Sequence, residues 1–541
     1  MRSLIGAFRG SAPRMAVGTL LVVLASASLS TAAQSAATTN LCVGSKPGCF
    51  ETIQAALDAA QDGDTIEIAP GTFAGGITIL KDVQLVGAGA GATTIQGGGP
   101  VITIGEFVGP GGPGQPTVSI SRVTITGGLN DSEGVAAGGG VLIPFAGPGV
   151  PVATVAISDS VITRNRVSPS GLFPPGPFCG PAPCAVAWGG GIDNAGALTL
   201  TNTRVTDNVA GSTPTDGSDA TIAQGGGVRS HPGATTTLRR SFVTGNRSAT
   251  TAPTGRFAEG GGISDNGVLT IEDSVVSDNS AKVDAAFAGD LDQTGAFGGG
   301  IQLIDTGSAT ITRTIVRGNV VRSTNSGGGS NSASGGIDAD AGLLVLRDSL
   351  IDHNRVDVTV SAPGAIGIAF AGGVGIEGPA DVSGTHFIGN EVRSSVPAGV
   401  AAASAAGLAT FSDEPVVVRD SLVSGNGAAA VATGGFALAQ GGGVLNAGLL
   451  TLRRTRIVAN SGSSSGPAGS AEGGGLWNGI VPFQGFPALA TLDLVDSVVA
   501  GNTLSASAGI PRLGGGIFTN VPFTESGTVI AGNQPDQCFG C

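Results

Sequence analysis

The chain of 541 residues has no tyrosine, two tryptophans, two methionines and three histidines, and only 12% of it is charged. Such a composition excludes a conventional core of large aromatic side chains. Cations are scarce as well: 26 lysines and arginines face 39 aspartates and glutamates, for a net charge of −13. A surface this acidic excludes nucleic acid and anionic lipid as ligands, and it disfavours polyanions unless a cation bridges them. Apolar runs are short. Beyond Met15–Leu24 none reaches spanning length, so no stable membrane span is expected.

What the chain does have is glycine, 94 residues of it, and repetition. Gly189–Asn208 reads GGGIDNAGALTLTNTRVTDN, Gly260–Asn279 reads GGGISDNGVLTIEDSVVSDN and Gly441–Asn460 reads GGGVLNAGLLTLRRTRIVAN. Self-similarity at this period signals a solenoid or a propeller. From the last glycine of each cluster to its Asn there are 17 to 19 residues in nine of eleven units, and the other two carry insertions at Ile143–Ala153 and Asn478–Ala488. The stretch from each Asn to the next glycine cluster varies in length and is rich in Gly, Ser and Pro, so it reads as the loop side of each coil.

Aligned on the Asn, the units form columns. The Asn column is Asn165, Asn208, Asn246, Asn279, Asn319, Asn354, Asn390, Asn426, Asn460, Asn502 and Asn533. Asn tolerates left-handed turns, and its amide offers donor and acceptor to the Asn above and below. Three residues earlier runs an aliphatic or aromatic column from Ile162 to Ile530, and five earlier every unit has Ser or Thr, from Ser160 to Thr528. Eight and ten earlier lie mostly apolar pairs such as Leu198/Leu200, which strand alternation places inside. The inward parity changes six residues before the Asn, which marks a corner. The expected architecture is all-β: a single-stranded right-handed parallel β-helix solenoid with an N-terminal capping helix. Eleven units exceed the usual ~4–8 propeller blades, and blade signatures are missing.

Four segments follow. Residues 1–33 read as a secretory signal peptide, with Arg2, Arg9 and Arg14 before the apolar run and small residues after it. Residues 34–49 are a short disulfide-containing lead-in, 50–137 a capping helix with the first coils, and 138–541 the repeat-built β-helix of about eleven coils. The six cysteines fall into close pairs, Cys42/Cys49, Cys179/Cys184 and Cys538/Cys541, and an even count in an exported chain predicts three local disulfides. A secreted or cell-surface location and a monomer are expected.

Phe50–Gln61, FETIQAALDAAQ, is the one amphipathic helix, and GDTIEIAPGTF follows it at Gly63–Phe73. This pair resembles the opening of pectin-lyase-like β-helix proteins, and that resemblance implies that the helix plugs the solenoid's open end. The recurring GGG(I/V/L) with (V/I/F)-x-x-N over Gly138–Asn533 resembles the repeat of bacterial polymorphic outer-membrane proteins, although only Phe387 keeps that family's phenylalanine. The second resemblance implies a bacterial surface protein, often an adhesin. No segment reads as the membrane β-barrel in which that family's autotransporters end.

The corner column, from Asp159 to Asp496, alternates in sign along much of its length and reads as a cross-coil ion-pair ladder. If the chain is a lyase or hydrolase, Asp273, Arg313 and Asp348 are the catalytic candidates, because such chemistry needs carboxylates beside a cation. No pectate-lyase or polygalacturonase motif accompanies them. His231 reads as a turn residue in the slot that holds Asn194 elsewhere, and His353 and His386 lack further metal ligands. No cofactor is expected; Asp338–Gly342 and Asp284–Asp292 offer weak calcium binding at most. The leading expectation is a non-enzymatic adhesion or carbohydrate-binding scaffold whose partner is a surface protein or polysaccharide, with Phe173, Phe178, Phe483 and Phe486 as loop aromatics. A polysaccharide lyase or glycoside hydrolase is the alternative.

Overall fold

The structure is a computed structural model, and it describes residues 39–174, 183–212, 220–252, 255–286, 294–340, 342–480 and 490–541. Residues 1–33, which read as a signal peptide, therefore lie outside the described residues. Five parallel sheets of 15, 14, 14, 11 and 11 strands stack along the chain, the two 11-stranded ones beginning at Leu129 and Val135, and in the repeat region each strand pairs with the fifth strand on either side of it in sequence. A single coil shows the order: Ile192–Asn194, Ala197–Thr201, Arg204–Thr206, Val209–Ser212 and Ala220–Gln224. We call the sheets these strands belong to the floor, second, corner, outgoing and returning sheets. Together they make a parallel β-helix solenoid.

Helix α1 spans Ile53–Ala59, and Thr52 caps it by accepting the Ala55 N–H. Ile53, Ala56 and Leu57 are buried in the main core, with Ala60 beside them, so the helix closes one end of the solenoid. The segment before it is part of the solenoid too, because Asn40–Val43 pairs with Thr65–Ile68. Cys42–Cys49 and Cys538–Cys541 are disulfides. Cys184 is likewise disulfide-bonded, while its expected partner Cys179 lies outside the described residues. Among the described residues no helix is long and apolar enough to cross a membrane.

The main core consists of the stacked aliphatic columns, including Leu198/Leu200, Val205 and their counterparts on every coil. Each such side chain contributes roughly 1.5–3 kcal/mol on burial, so stability accumulates coil by coil. The polar columns are buried as well, and their hydrogen bonds explain how. Asn246 Oδ1 accepts the N–H and the Nδ2 of Asn208, both at 3.0 Å, while its own Nδ2 donates to Val205 O at 2.9 Å and to Asn279 Oδ1 at 3.0 Å. Ser241 Oγ donates to Arg239 O at 2.9 Å and accepts the Thr203 N–H at 3.2 Å. The Asn residues themselves are not left-handed. That conformation falls one residue earlier, at Asp207 (φ 56°), Asp278 (φ 56°) and His353 (φ 51°).

The corner column is left-handed throughout, from Asp159 (φ 50°) to Asp496 (φ 49°), and this is why inward parity changes there.

The segment expected to be loop is instead regular. After each Asn from Asn165 to Asn502 the chain leaves as the outgoing strand and comes back as the returning strand, and the two sheets pack face to face as a fin. Val283, Val321, Val356 and Val358 of the outgoing sheet meet Ala258, Ala369, Ala403 and Ala439 of the returning one in a separate core. Small side chains let the fin's two layers lie close. Its root is the glycine cluster. A Cβ on Gly190 would stand 2.4 Å from the Val209 carbonyl carbon and 2.5 Å from Gly226 O, so only glycine fits where fin and solenoid meet.

Candidate functional site

In each floor strand the first residue faces the main core and the middle one faces away from it. In register, the middle residues are Leu142, Asp193, Arg229, Ser264, Gln302, Asp338, Gly375, Ala409, Leu445, Trp477 and Phe518. The last residues of the returning strands form a facing column: Trp188, Gln224, Glu259, Phe297, Ala333, Phe370, Ser404, Gln440, Glu472 and Leu513. Floor and fin thus meet along a seam parallel to the solenoid axis, which we call the groove, and its floor side chains from Asp193 to Phe518 are buried. The turns after the floor strands form its other rim.

Chemistry changes along this groove. From Phe370 onward it is lined mainly by apolar side chains, including Phe411, Leu438, Leu445, Trp477 and Phe518, with Glu472 among them accepting from Trp477 Nε1 at 2.9 Å and Gln440 Nε2 at 3.1 Å. Trp477 and Phe518 stack with centroids 6.0 Å apart, and Phe518 and Phe539 at 5.5 Å. From Trp188 to Asp340 it is polar and charged. Arg229 lies over the Trp188 ring at 4.5 Å and donates from Nε to Gln224 Oε1 at 2.9 Å, while Gln224 Nε2 donates to Glu259 Oε2 at 2.6 Å. His231 Nε2 is 2.9 Å from Asp193 Oδ2, and its ring stands edge-on to Trp188 (5.3 Å) and Phe145 (6.3 Å). The residue in register with Asn194 is Ser230; His231 opens the turn that follows, its carbonyl accepting the Ala234 N–H at 3.0 Å, while its side chain reaches Asp193.

Burial governs the electrostatics. It raises Glu259, which the Gln224 bond and Arg229 pull back down in part. Asp265, packed beside this cluster, is pushed up to about 6 by burial against the opposing hydrogen bonds from Ser230 and Gly267. Asp338 is also raised by burial to about 6, although Ser334 Oγ donates to it at 2.5 Å. Asp340 is raised well above its ordinary value by burial and then by the neighbouring carboxylates of Asp338, Glu377, Glu259 and Asp305. Arg229 is lowered by burial, with Asp193, Glu259 and Asp265 holding it up. Four consecutive floor residues each keep a buried side-chain atom without a hydrogen-bond partner: Asp193 Oδ1, Arg229 Nη1, Ser264 Oγ and Gln302 Oε1.

The residues singled out for catalysis lie elsewhere, on the exposed corner. Arg313 donates from Nε and Nη2 to the two oxygens of Asp273 at 2.6 and 3.1 Å, which lowers the Asp273 carboxyl. Asp348 sits one coil further on. The same arrangement recurs at Arg454 and Asp420 (2.6 and 3.0 Å), and Asn202 donates to Asp159 at 2.6 Å. The eleven Asn residues are the buried ladder described above. Asp338 and Asp340 belong to the groove, whereas 287–293, most of the second expected calcium segment, lies outside the described residues. Among the described residues no three His, Cys, Asp or Glu side chains are grouped to hold a metal ion. Phe173 is half-buried and pairs its backbone with Cys184; Phe178, Phe483 and Phe486 lie outside the described residues.

No protein-family model matches the sequence, and no curated protein matches it. Solved structures with similarity to the chain include the A-modules of two Azotobacter vinelandii mannuronan C-5 epimerases. AlgE6 is 15% identical with a TM-score of 0.24, covering 89% of this chain and 95% of that one. AlgE4 is 13% identical with a TM-score of 0.23, covering 89% and 91%. A PL6 family alginate lyase, AlyGC, is 10% identical with a TM-score of 0.17, covering 91% and 100%.

Proposed function

We propose that the chain is an exported scaffold that binds carbohydrate in the polar half of this groove. The observation that carries the reading is the run of four floor residues with unmet hydrogen-bonding atoms on consecutive coils, Asp193 to Gln302. Leaving a buried polar atom unpaired costs roughly 1–3 kcal/mol. A hydroxylated chain, together with the water it carries, donates and accepts along its length and supplies what this mixed set lacks. The half-buried Trp188 and the exposed Phe145 at the groove's mouth add the flat apolar faces on which sugar rings stack.

The test uses the chain's two tryptophans. Trp477 is 1% exposed, so an emission change on adding neutral oligosaccharides reports Trp188. The expected result is saturable quenching that disappears in Trp188→Phe and weakens in Gln302→Leu. Silence across the panel, with no retention of the wild type on immobilised glycans, would overturn the reading.

The second reading is cleavage of a polysaccharide. It is favoured by His231, whose ring is oriented by the buried Asp193 carboxylate as a general base is. An activity screen decides between sites. Product ends lost in His231→Ala place the chemistry in the groove, and ends lost in Arg313→Ala place it at Asp273, Arg313 and Asp348.

A further inference from the structure

The outward face of the outgoing sheet reverses the chain's charge. On five successive coils it presents one cation each, Arg247, Lys282, Arg322, Arg355 and Arg393, while alternate residues such as Val283, Val321, Val356 and Val392 face the fin's core. The same stretch carries three carboxylates, Asp284, Asp357 and Glu391. The whole chain has 26 lysines and arginines against 39 acids, so five against three is a local inversion. The turns at the base of the sheet add Asp278 and the ion pair of Arg317 with Asp352, and the strip stays cationic.

Pairing within the strip is incomplete. Lys282 Nζ lies 2.5 Å from Asp284 and Arg393 Nη2 lies 2.8 Å from Glu391, whereas Arg355 and Arg322 share Asp357 at 2.7 and 3.9 Å. The Arg322 and Arg393 side chains are 56% and 51% exposed. Exposed pairs of this kind are weak, so an incoming anion can straddle or displace them. Lys282, Arg322, Arg355 and Arg393, with Asp284 and Asp357, line a depression of about 350 Å³. Thr359 and Ser395 bring hydroxyl groups to the same depression.

We infer that this face binds a linear sulfated polysaccharide, a ligand distinct from the one the groove takes. The cations advance ~4.8 Å per coil, so they form a row along the axis that an extended polyanion can follow. One guanidinium fork uses up both oxygens of a carboxylate. A sulfate ester has three free oxygens and therefore bridges cations on neighbouring coils. Screening limits the reach of each charge to ~10 Å, so a ligand lying on the strip responds to its cations before the chain's overall acidity.

The experiment uses calorimetry to compare cellohexaose sulfated on every residue with unmodified cellohexaose, a hexagalacturonate and a hexathymidylate. The expected result is binding of the sulfated hexamer about ten-fold or more tighter than the others, with the preference falling as salt is raised to about 0.5 M. Arg322→Ala with Arg393→Ala should abolish the preference and leave the melting temperature unchanged, since both side chains are exposed. Arg313→Ala with Arg454→Ala on the corner, and Gln302→Leu in the groove, should leave the preference intact. An equal loss in the corner variant would show that charge alone is read, and would overturn the assignment to this face. Loss in Gln302→Leu would move the sulfated ligand into the groove and overturn it as well. A hexagalacturonate that binds as tightly as the sulfated hexamer overturns the choice of sulfate, and a hexathymidylate that does so overturns the glycan.

Discussion

Gln537 ends the asparagine ladder by imitating it. Its Oε1 accepts both the N–H of Asn533 at 3.1 Å and the Nδ2 of Asn533 at 3.0 Å, the two bonds that every other asparagine gives to the Oδ1 of the next coil.

Removing that oxygen should loosen the last coil. Gln537→Ala leaves the N–H of the buried Asn533 unpaired and its Nδ2 with only the bond to Val499 O at 2.9 Å, at a cost of roughly 1–3 kcal/mol. In a solenoid the loss stays local, so amide exchange should speed up over residues 503–541 before global unfolding changes. Gln537→Glu keeps an acceptor and should restore protection. Asn319→Ala, which cuts the ladder in mid-stack, should lower the urea midpoint of the whole protein.

The ladder was legible because identity at a fixed spacing survives any change in loop length. Asn, Ser/Thr and an aliphatic or aromatic residue recur in register on every unit, and in all but the last unit each is buried for the reason its chemistry suggests. The fin was not legible. Stretches such as Gly427–Val431 and Ser461–Ser465 are Ala, Gly and Ser apart from Val431, with little contrast between the faces, so nothing in them announces a strand. The groove lay hidden for another reason. Its wall and floor residues sit five apart on either side of each glycine cluster, as in Trp188/Asp193, Gln224/Arg229 and Glu472/Trp477. A scan at that spacing shows floor positions that are polar from Asp193 to Asp338 and apolar from Ala409 to Phe518. The corner acids and arginines attracted attention instead because they alternate in sign, and their regular recurrence reflects the left-handed turn beneath them.

That turn makes its own prediction. Asn202 has φ 49°, a conformation costing a β-branched side chain roughly 1–2 kcal/mol. Asn202→Val should lower the melting temperature, and Asn202→Gly should leave it unchanged or raise it. Arg313→Ala should have no measurable effect on melting, because its exposed pair with Asp273 is screened by solvent. A drop with Arg313→Ala equal to that of Asn202→Val would show that charge, not backbone, sets the corner.

The fin's thin core sets a size limit. Ala403 and Ala439 are fully buried between the outgoing and returning sheets. Leucine at Ala439 forces the layers apart and should cost about 1–3 kcal/mol. Exchange should quicken in the outgoing and returning strands of neighbouring coils while the second and corner sheets keep their protection. Uniform loss of protection would mean that fin and solenoid unfold as one unit.

Two buried carboxyls of the floor strands, Asp265 and Asp338, make stability depend on pH in a direction opposite to the common one. Asp265 and Asp338 have folded values of about 6, against ordinary values near 3.8. The folded protein therefore holds these protons more tightly than the unfolded chain does. Below pH ~3.8 both states are protonated and the two groups exert no bias; between ~3.8 and ~6 the unfolded chain releases protons that the folded one keeps, and stability falls as pH rises. Above ~6 the slope vanishes. Each group is worth up to about 2–3 kcal/mol over that window. Asp273 and Asp420, held down by their arginines, act in the opposite sense but only as pH falls below ~3.8, outside the window. Thermal melts from pH 4 to 7.5 should show the decline. Asp265→Asn and Asp338→Asn should flatten it and raise the melting temperature at pH 7, each keeping a side chain of the same shape without the charge. A profile that rises from pH 4 to 6 in the wild type would mean that these carboxyls are ionised in the fold, with a cation beside them.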